Sequence, residues 1–241
     1  MPSKYKTDGS AIIESQEVKE LVLRTGADLC GIAPAQRFSN APPGFRPTDI
    51  FADCKSVVVF AKRLPVQSLF VDNCIPYTHV NDVITREVEL LTIDISRRLE
   101  DIGIRNVIIP SDDPYHHWEP NRHYGRAILS LRHAGYLAGL GIMGDNTLLI
   151  NNTYGNMIQL GAVLVDLSLS GDPLADYDAC PEDCSLCMEA CPQQALDGTT
   201  VNQQLCRPKS NHVTPKGYTL KTCSICRSIC PQCTGLTKRQ A

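Results

Sequence analysis

Two kinds of apolar pattern alternate along the first two thirds of the chain. Between Ile84 and Ile102, apolar side chains recur every three or four residues, which predicts a long amphipathic helix that ends at Gly103. A shorter helix is predicted from Ser15 to about Gly26 on the same grounds. Residues 56–64 begin as a continuous valine-rich run instead, which is typical of a buried strand.

The remaining apolar segments extend this alternation. Strands are predicted over 27–33 and 105–110, and one long strand or a pair of strands over 157–169. A further helix is expected over about 124–138, and the proline-rich residues 40–47 are expected to form a surface loop. Helices that alternate with strands favour helices packed on a sheet, so we predict an α/β (α+β) N-terminal domain over residues 1–169.

The charge pattern changes near residue 170. Residues 168–200 carry seven acidic side chains and no lysine or arginine, whereas residues 201–241 carry seven lysines and arginines and no acid. This shift predicts a second module over residues 170–241, in which surface ion pairs between the two segments contribute little each. The net charge of −3 indicates no particular partner.

The sequence shows no signal for a membrane or for export. It contains no run of about 18 apolar residues, so no transmembrane helix and no membrane partner are expected. The first ten residues lack the apolar segment and the paired arginines of export signals, so a cytoplasmic location is expected.

Cysteine is the most informative residue type, with 12 in the chain. In a reducing compartment, clustered cysteines indicate metal binding rather than disulfides. Cys30, Cys54 and Cys74 lie far from one another and are interpreted as small core residues. The other nine lie between Cys180 and Cys233.

Two cysteine runs in this region resemble the bacterial ferredoxin pattern, in which the fourth cysteine binds the other cluster of a pair. The first run is Cys180-x3-Cys184-x2-Cys187-x3-Cys191-Pro and the second is Cys223-x2-Cys226-x3-Cys230-Pro. We therefore predict a ferredoxin-like module with two [4Fe–4S] clusters. One is held by Cys180, Cys184, Cys187 and Cys230, and the other by Cys206, Cys223, Cys226 and Cys191.

Two alternatives stay open at this point. Cys233 competes with Cys206 as the last ligand of the second cluster. Paired C-x2-C units also form zinc ribbons, so zinc is the alternative to iron, although it would not explain two endings of the form C-x3-C-P.

Residues 130–166, followed by these cysteine runs, resemble the epoxyqueuosine reductase family and its relatives, which include the reductive dehalogenases. The segment AGLGIMGDNTLL, which begins at Ala138, is the most specific part of the resemblance. The resemblance implies a base-off cobalamin beside the two clusters. It also implies that Gly139, Gly141 and Gly144 let the backbone approach the corrin, with Asn146 as a polar contact.

The sequence departs from this family at three places. Where the tRNA-modifying enzymes have an aspartate thought to donate a proton, this chain has Gly125, and Asp145 stands where they usually have lysine. The chain also ends eight residues after Cys233, so the helical repeats that help those enzymes hold tRNA are not expected. His123 and Tyr124 abut Gly125 and are the predicted proton donors.

We therefore expect an oxidoreductase that passes low-potential electrons through two clusters to a cobalamin-type cofactor and reduces a small organic substrate. A ferredoxin- or flavodoxin-type protein is the expected electron donor. One alternative is an electron-transfer protein or reductive activator of a partner corrinoid protein. The other is a tRNA-directed reductase, which the three departures make less favoured.

Overall fold

A computed structural model describes residues 13–236 of the chain. The first ten residues and the basic residues Lys238 and Arg239, on which two of the expectations above rest, lie outside this range. The helices are α1 (Ser15–Thr25), α2 (Pro47–Ile50), α3 (Cys74–Asp101), α4 (Leu131–Leu137), α5 (Leu186–Glu189), α6 (Gln203–Ser210) and α7 (Ile225–Ser228). Single 3-10 turns cover Ala35–Phe38, Gln67–Leu69 and Pro120–Arg122.

Within residues 13–236, ten strands form one larger sheet and three hairpins. They are β1 (Leu29–Pro34), β2 (Ser56–Arg63), β3 (Asn106–Ile109), β4 (His117–Glu119), β5 (Tyr124–Arg126), β6 (Ile142–Met143), β7 (Leu149–Ile150), β8 (Ile158–Val165), β9 (Asn211–Val213) and β10 (Thr219–Lys221). The four-stranded sheet has the order β1-β2-β8-β3, and each neighbouring pair is antiparallel. The hairpins are β4–β5, β6–β7 and β9–β10.

Helices cover both faces of this sheet. The alternation of side chains along β2 sends Val57 and Val59 to one face and Val58 and Phe60 to the other. α1 and α3 pack on the face that carries Phe60, and α4 packs on the opposite face through Ala134. Since both faces are covered, β2 is apolar and buried without interruption from Val57 to Ala61, as the sequence predicts.

Two predicted helices are confirmed, with one change in length. α1 ends where Gly26 adopts a positive φ of 126°, and the long helix α3 is followed by Gly103 at φ 81°. α3 begins at Cys74, ten residues before the predicted start, with Asn73 as its N-cap. The Asn73 side chain accepts a hydrogen bond from the Ile75 amide at 2.9 Å.

The predicted helix over 124–138 is wrong in its first half. Residues 124–126 form strand β5, which pairs with β4, and only Leu131–Leu137 is helical. The Gln203 side chain of α6 accepts a hydrogen bond from the Gly125 amide at 3.0 Å and donates one to its carbonyl at 3.1 Å. A contact between distant parts of the chain thus holds this backbone extended.

The structure confirms a mixed α/β fold. Beyond residue 170, it contains the short helices α5, α6 and α7 and the hairpin β9–β10. The ferredoxin-like character of this part and the boundary between 1–169 and 170–241 stay predictions. Within residues 13–236, no helix is both long and apolar enough to cross a lipid bilayer.

Candidate functional site

The first group of thiols surrounds a small cavity. Cys180, Cys184 and Cys187 come from the first run and Cys230 from the second, and all four line this cavity together with Asn146. The pKa of the Cys180 thiol is raised to about 11, mainly by burial; the hydrogen bond from the Asp145 amide lowers it, and the charges of the Asp145 carboxylate and of Cys230 raise it. We call Cys180, Cys184, Cys187 and Cys230 the first thiol group.

The remaining predicted ligands form a second group. Burial raises the pKa of the Cys226 thiol to about 11, and the proximity of Cys206, Cys223 and Cys191 adds to this rise. Burial likewise raises the pKa of Cys206, with Cys223 and Cys191 adding to it. We call Cys191, Cys206, Cys223 and Cys226 the second thiol group. The first group thus includes Cys230 from the second run, and the second group includes Cys191 from the first run.

Cys233, the alternative to Cys206 as a ligand of the second cluster, lies apart from the second thiol group. Its side chain is buried in an apolar cluster with Leu64, Leu69 and Met157, beside Cys230. Burial raises its pKa to about 11. The structure therefore groups Cys206, not Cys233, with Cys191, Cys223 and Cys226.

The two short helices hold equivalent cysteines. Cys187 is the second residue of α5, which follows Ser185, and Cys226 is the second residue of α7, which follows Ser224. The two helices pack against each other. The first run has the sequence Ser-Leu-Cys at this point, and the second run has the similar sequence Ser-Ile-Cys. One cysteine of each thiol group therefore lies at the same position in a short helix.

The chemistry of these residues fits iron–sulfur ligation. All twelve cysteines are free thiols. Backbone amides point at sulfur in both groups, from Asp145 to Cys180 at 3.5 Å and from Ala195 to Cys191 at 3.3 Å, as is common around clusters. Among residues 13–236, no three His, Cys, Asp or Glu side chains lie close enough to share a single metal ion.

Asn146 connects the two parts of the site. Its side chain is 4% exposed, and its Nδ2 donates a hydrogen bond to the Cys226 carbonyl at 3.1 Å. Its Oδ1 accepts a hydrogen bond from the Leu148 amide at 3.0 Å. Asn146 thus fastens the segment after α4 to the second cysteine run, and its contact with a corrin stays a prediction.

Neighbouring protein atoms fill the space beside the three predicted corrin-facing glycines. A Cβ on Gly139, which has φ 73°, would overlap the Pro173 carbonyl oxygen. A Cβ on Gly141 would overlap the Ile150 carbonyl oxygen. At Gly144 it would lie 2.6 Å from the Ile150 side chain. Close packing within the chain accounts for these glycines, and their contact with a corrin stays a prediction.

A larger cavity lies beside the second thiol group. Its volume is about 440 Å3, and it lies between Tyr124 and the residues 194–205. Ala195, in its wall, donates the amide hydrogen bond to Cys191. His123 adopts a left-handed conformation with φ 46° directly before Tyr124. Of the two predicted proton donors, Tyr124 is the one that lines this cavity.

An aromatic cluster on and beside the β4–β5 hairpin is not predicted from the sequence. The rings of Tyr115 and Trp118 stack with centroids 6.1 Å apart, and Trp118 is 45% exposed. The Arg207 guanidinium lies 5.4 Å from the Tyr115 ring centroid and 5.2 Å from that of Trp118. The density of aromatic residues in 111–126 is the available signal, but nothing local indicates that α6 supplies the arginine.

The chain is similar to known proteins in both sequence and fold. No protein-family model matches the chain. Epoxyqueuosine reductase from Lactococcus garvieae is 34% identical over 109 residues, which cover 41% of this chain and 30% of that protein. The Staphylococcus aureus enzyme is 27% identical over 169 residues, or 66% of this chain and 40% of that protein. The matches therefore span less than half of these relatives.

Solved structures share the fold. Epoxyqueuosine reductase from Streptococcus thermophilus superposes with a TM-score of 0.62 and 18% identity over 90% of this chain and 65% of that protein. A catabolic reductive dehalogenase in complex with 3-bromo-4-hydroxybenzoic acid gives 0.54 and 17% identity, over 88% of this chain and 28% of that one. The sequence relatives confirm that this chain resembles the epoxyqueuosine reductases, and the solved structures show that it shares its fold with them and with a reductive dehalogenase.

Proposed function

We propose that this protein is an iron–sulfur reductase that holds one [4Fe–4S] cluster in each thiol group and reduces a small organic substrate. The observation that carries the proposal is the exchange of ligands, since Cys230 completes the first group and Cys191 is part of the second. Four converging thiolates are the ligands of a cubane, and exchange of the fourth locks the two runs together. The family resemblance supports the same class of reaction.

The chain contributes ligands and their surroundings. When bound, the clusters supply electrons one at a time at low potential. Burial raises the pKa of Cys180 and Cys226 to about 11, so these thiols are protonated near neutral pH until metal binding displaces their protons. The amides of Asp145 and Ala195 donate to sulfur and stabilise the added negative charge.

The cavity beside the second thiol group is the proposed substrate site. Its volume of about 440 Å3 is in the range of small-molecule pockets. Reduction of an organic molecule usually requires a proton as well as electrons, and the Tyr124 hydroxyl is the proposed source. A ferredoxin- or flavodoxin-type protein is the proposed reductant.

The resemblance also implies a cobalamin between the clusters and the substrate. Gly139, Gly141, Gly144 and Asn146 do not line the larger cavity, and the contacts that the structure gives them are with the chain itself. No step is therefore derived through cobalamin, and its contact with these residues stays a prediction. Whether it binds is decided by experiment.

The test is anaerobic purification followed by iron analysis and spectroscopy with and without added cobalamin. We expect a brown protein with roughly eight irons per chain. A spectral shift of cobalamin to its base-off form would add the corrin to the mechanism. Cluster-loaded protein that binds neither cobalamin nor a substrate would favour an electron-transfer protein or a reductive activator. Zinc in place of iron would refute the proposal.

A second candidate is action on tRNA, because one solved structure with this fold is an epoxyqueuosine reductase with an epoxyqueuosine-modified tRNA stem loop. The observation that favours it is the exposed Trp118 with Arg207 above its ring, since exposed aromatic and arginine side chains stack on unpaired bases. Binding of a tRNA stem loop that weakens with salt and requires Trp118 would support it. Binding unchanged in Trp118→Ala would count against it.

A further inference from the structure

The two thiol groups lie in opposite electrostatic surroundings. Beside the first group stands the Asp145 carboxylate, whose charge acts on Cys180 and on Cys187. The Asp145 amide lies 3.5 Å from the Cys180 sulfur, which fixes the residue next to this group. An acidic side chain at this position disfavours a further electron in a cluster bound there.

Arginines stand beside the second group. The Arg132 guanidinium lies within electrostatic range of Cys226 and Cys206, and Arg227 is the next residue after Cys226 and acts on the same thiol. Arg207 adjoins Cys206 in α6, and its charge acts on that thiol. Positive charge favours an added electron, so these side chains have the opposite effect to Asp145.

One short segment sets both environments. Asp145 faces the first group, Asn146 donates to the Cys226 carbonyl at 3.1 Å, and the Thr147 carbonyl accepts a hydrogen bond from Arg132 Nη1 at 2.8 Å. Three consecutive residues therefore place a negative charge against the first group and hold a positive charge near the second. Because these contacts fix the positions, the difference in charge is built into the fold.

We propose that Asp145 and Arg132 order the two clusters in reduction potential, with the first cluster lower and the second higher. This inference rests on the proposed function. It gives electron flow a direction, from the first thiol group to the second, which adjoins the cavity lined by Tyr124.

The electron balance of this step is simple. A reduced ferredoxin- or flavodoxin-type protein gives one electron to the first cluster, which passes it to the second, and the first returns to its oxidised form. No bond forms or breaks, and no proton moves in this transfer. The second cluster then gives the electron to the organic substrate in the cavity, which is reduced in the proposed reaction.

The experiment is a redox titration of the iron-loaded protein followed by electron paramagnetic resonance, which reports potentials and not turnover. Cys184→Ser and Cys223→Ser, each altering one ligand group, assign the two signals. In Asp145→Asn, which keeps the backbone amide, we expect the midpoint of the first cluster to rise and that of the second to stay within error. In Arg132→Gln we expect the midpoint of the second cluster to fall and that of the first to stay.

Two matched variants separate charge from structure. Arg132→Lys keeps the positive charge and should restore the second midpoint, and Asp94→Asn, an exposed carboxylate on α3, should move neither. A second cluster at or below the potential of the first would overturn the proposal, as would Asp145→Asn with unchanged midpoints. Iron analysis of the same samples distinguishes this failure from failure of the proposed function, because protein without two clusters refutes both.

Discussion

The Asn146 side chain donates a hydrogen bond to the backbone carbonyl of Cys226 at a distance of 3.1 Å, across 80 residues of sequence. Asn146 is buried, and Cys226 belongs to the second thiol group. The neighbouring Asp145 amide reaches Cys180 of the first group. The segment after α4 therefore contacts both cysteine runs and is one of the structural links between the proposed clusters and the rest of the chain.

Replacement of Asn146 by alanine should destabilise the protein by about 1–3 kcal/mol, because the Cys226 carbonyl and the Leu148 amide both lose a buried partner. The measurement is urea unfolding of the iron-loaded protein under anaerobic conditions. Asn152→Ala is the matched control, since Asn152 is exposed and its loss should cost less than about 0.5 kcal/mol. Equal midpoints for the two variants would contradict the role given to Asn146.

The iron content of cysteine variants should follow the two thiol groups. Cys187→Ala and Cys206→Ala should each lower the iron content from roughly eight to roughly four per chain, because each removes a ligand of one cluster. Cys233→Ala should keep both clusters, because Cys233 packs in an apolar cluster apart from the second group. Loss of iron in Cys233→Ala with full iron in Cys206→Ala would reverse the assignment.

The features that the sequence predicts are those with local causes. The valine run from Val57 marks β2 because both faces of that strand are buried, and Gly103 marks the end of α3 because it adopts the positive φ that glycine tolerates. The spacing also predicts which neighbouring cysteines share a cluster, since tight turns bring C-x2-C ligands together, but it leaves Cys206 and Cys233 as alternatives.

The features that the sequence does not predict depend on contacts between distant residues or on weak local signals. The backbone at Gly125 is extended because it pairs with Trp118 and because Gln203, 78 residues away, bonds to it. The first ten residues of α3 lack a clear apolar face, yet Asn73 and Pro76 are residues typical of a helix start and mark the true beginning. The bonding partner of Asn146, Cys226, is likewise not visible from the local sequence.

Substitution at Gly139 should cost more than at Gly103, although both have a positive φ. Alanine at either position incurs about 1–2 kcal/mol for the left-handed conformation. At Gly139 the new Cβ also overlaps the Pro173 carbonyl oxygen, which adds about 1–3 kcal/mol, whereas Gly103 has open space there. Thermal or urea unfolding of the two variants measures the difference. Similar losses would show that the segment after Asp172 can move away from Gly139.

The free energy of unfolding should fall as the pH rises from about 9 to about 12, in part because of Cys30. Burial raises the pKa of this thiol from 9.0 in its ordinary state to about 12, with smaller opposing effects of Lys19 and Asp172. Since the pKa of Cys30 is higher in the folded protein, the folded protein keeps a proton that the unfolded chain loses. The contribution of Cys30 to the free energy of unfolding is therefore complete below pH 9 and is lost as the pH rises to about 12. Cys30→Ala should lose this part of the slope, at most about 1.4 kcal/mol per pH unit, whereas Cys74→Ala should keep it. Urea unfolding at several pH values measures how steeply the free energy of unfolding changes with pH. Equal slopes for Cys30→Ala and the unaltered protein would show that the Cys30 thiol ionises as readily in the folded chain as in the unfolded one.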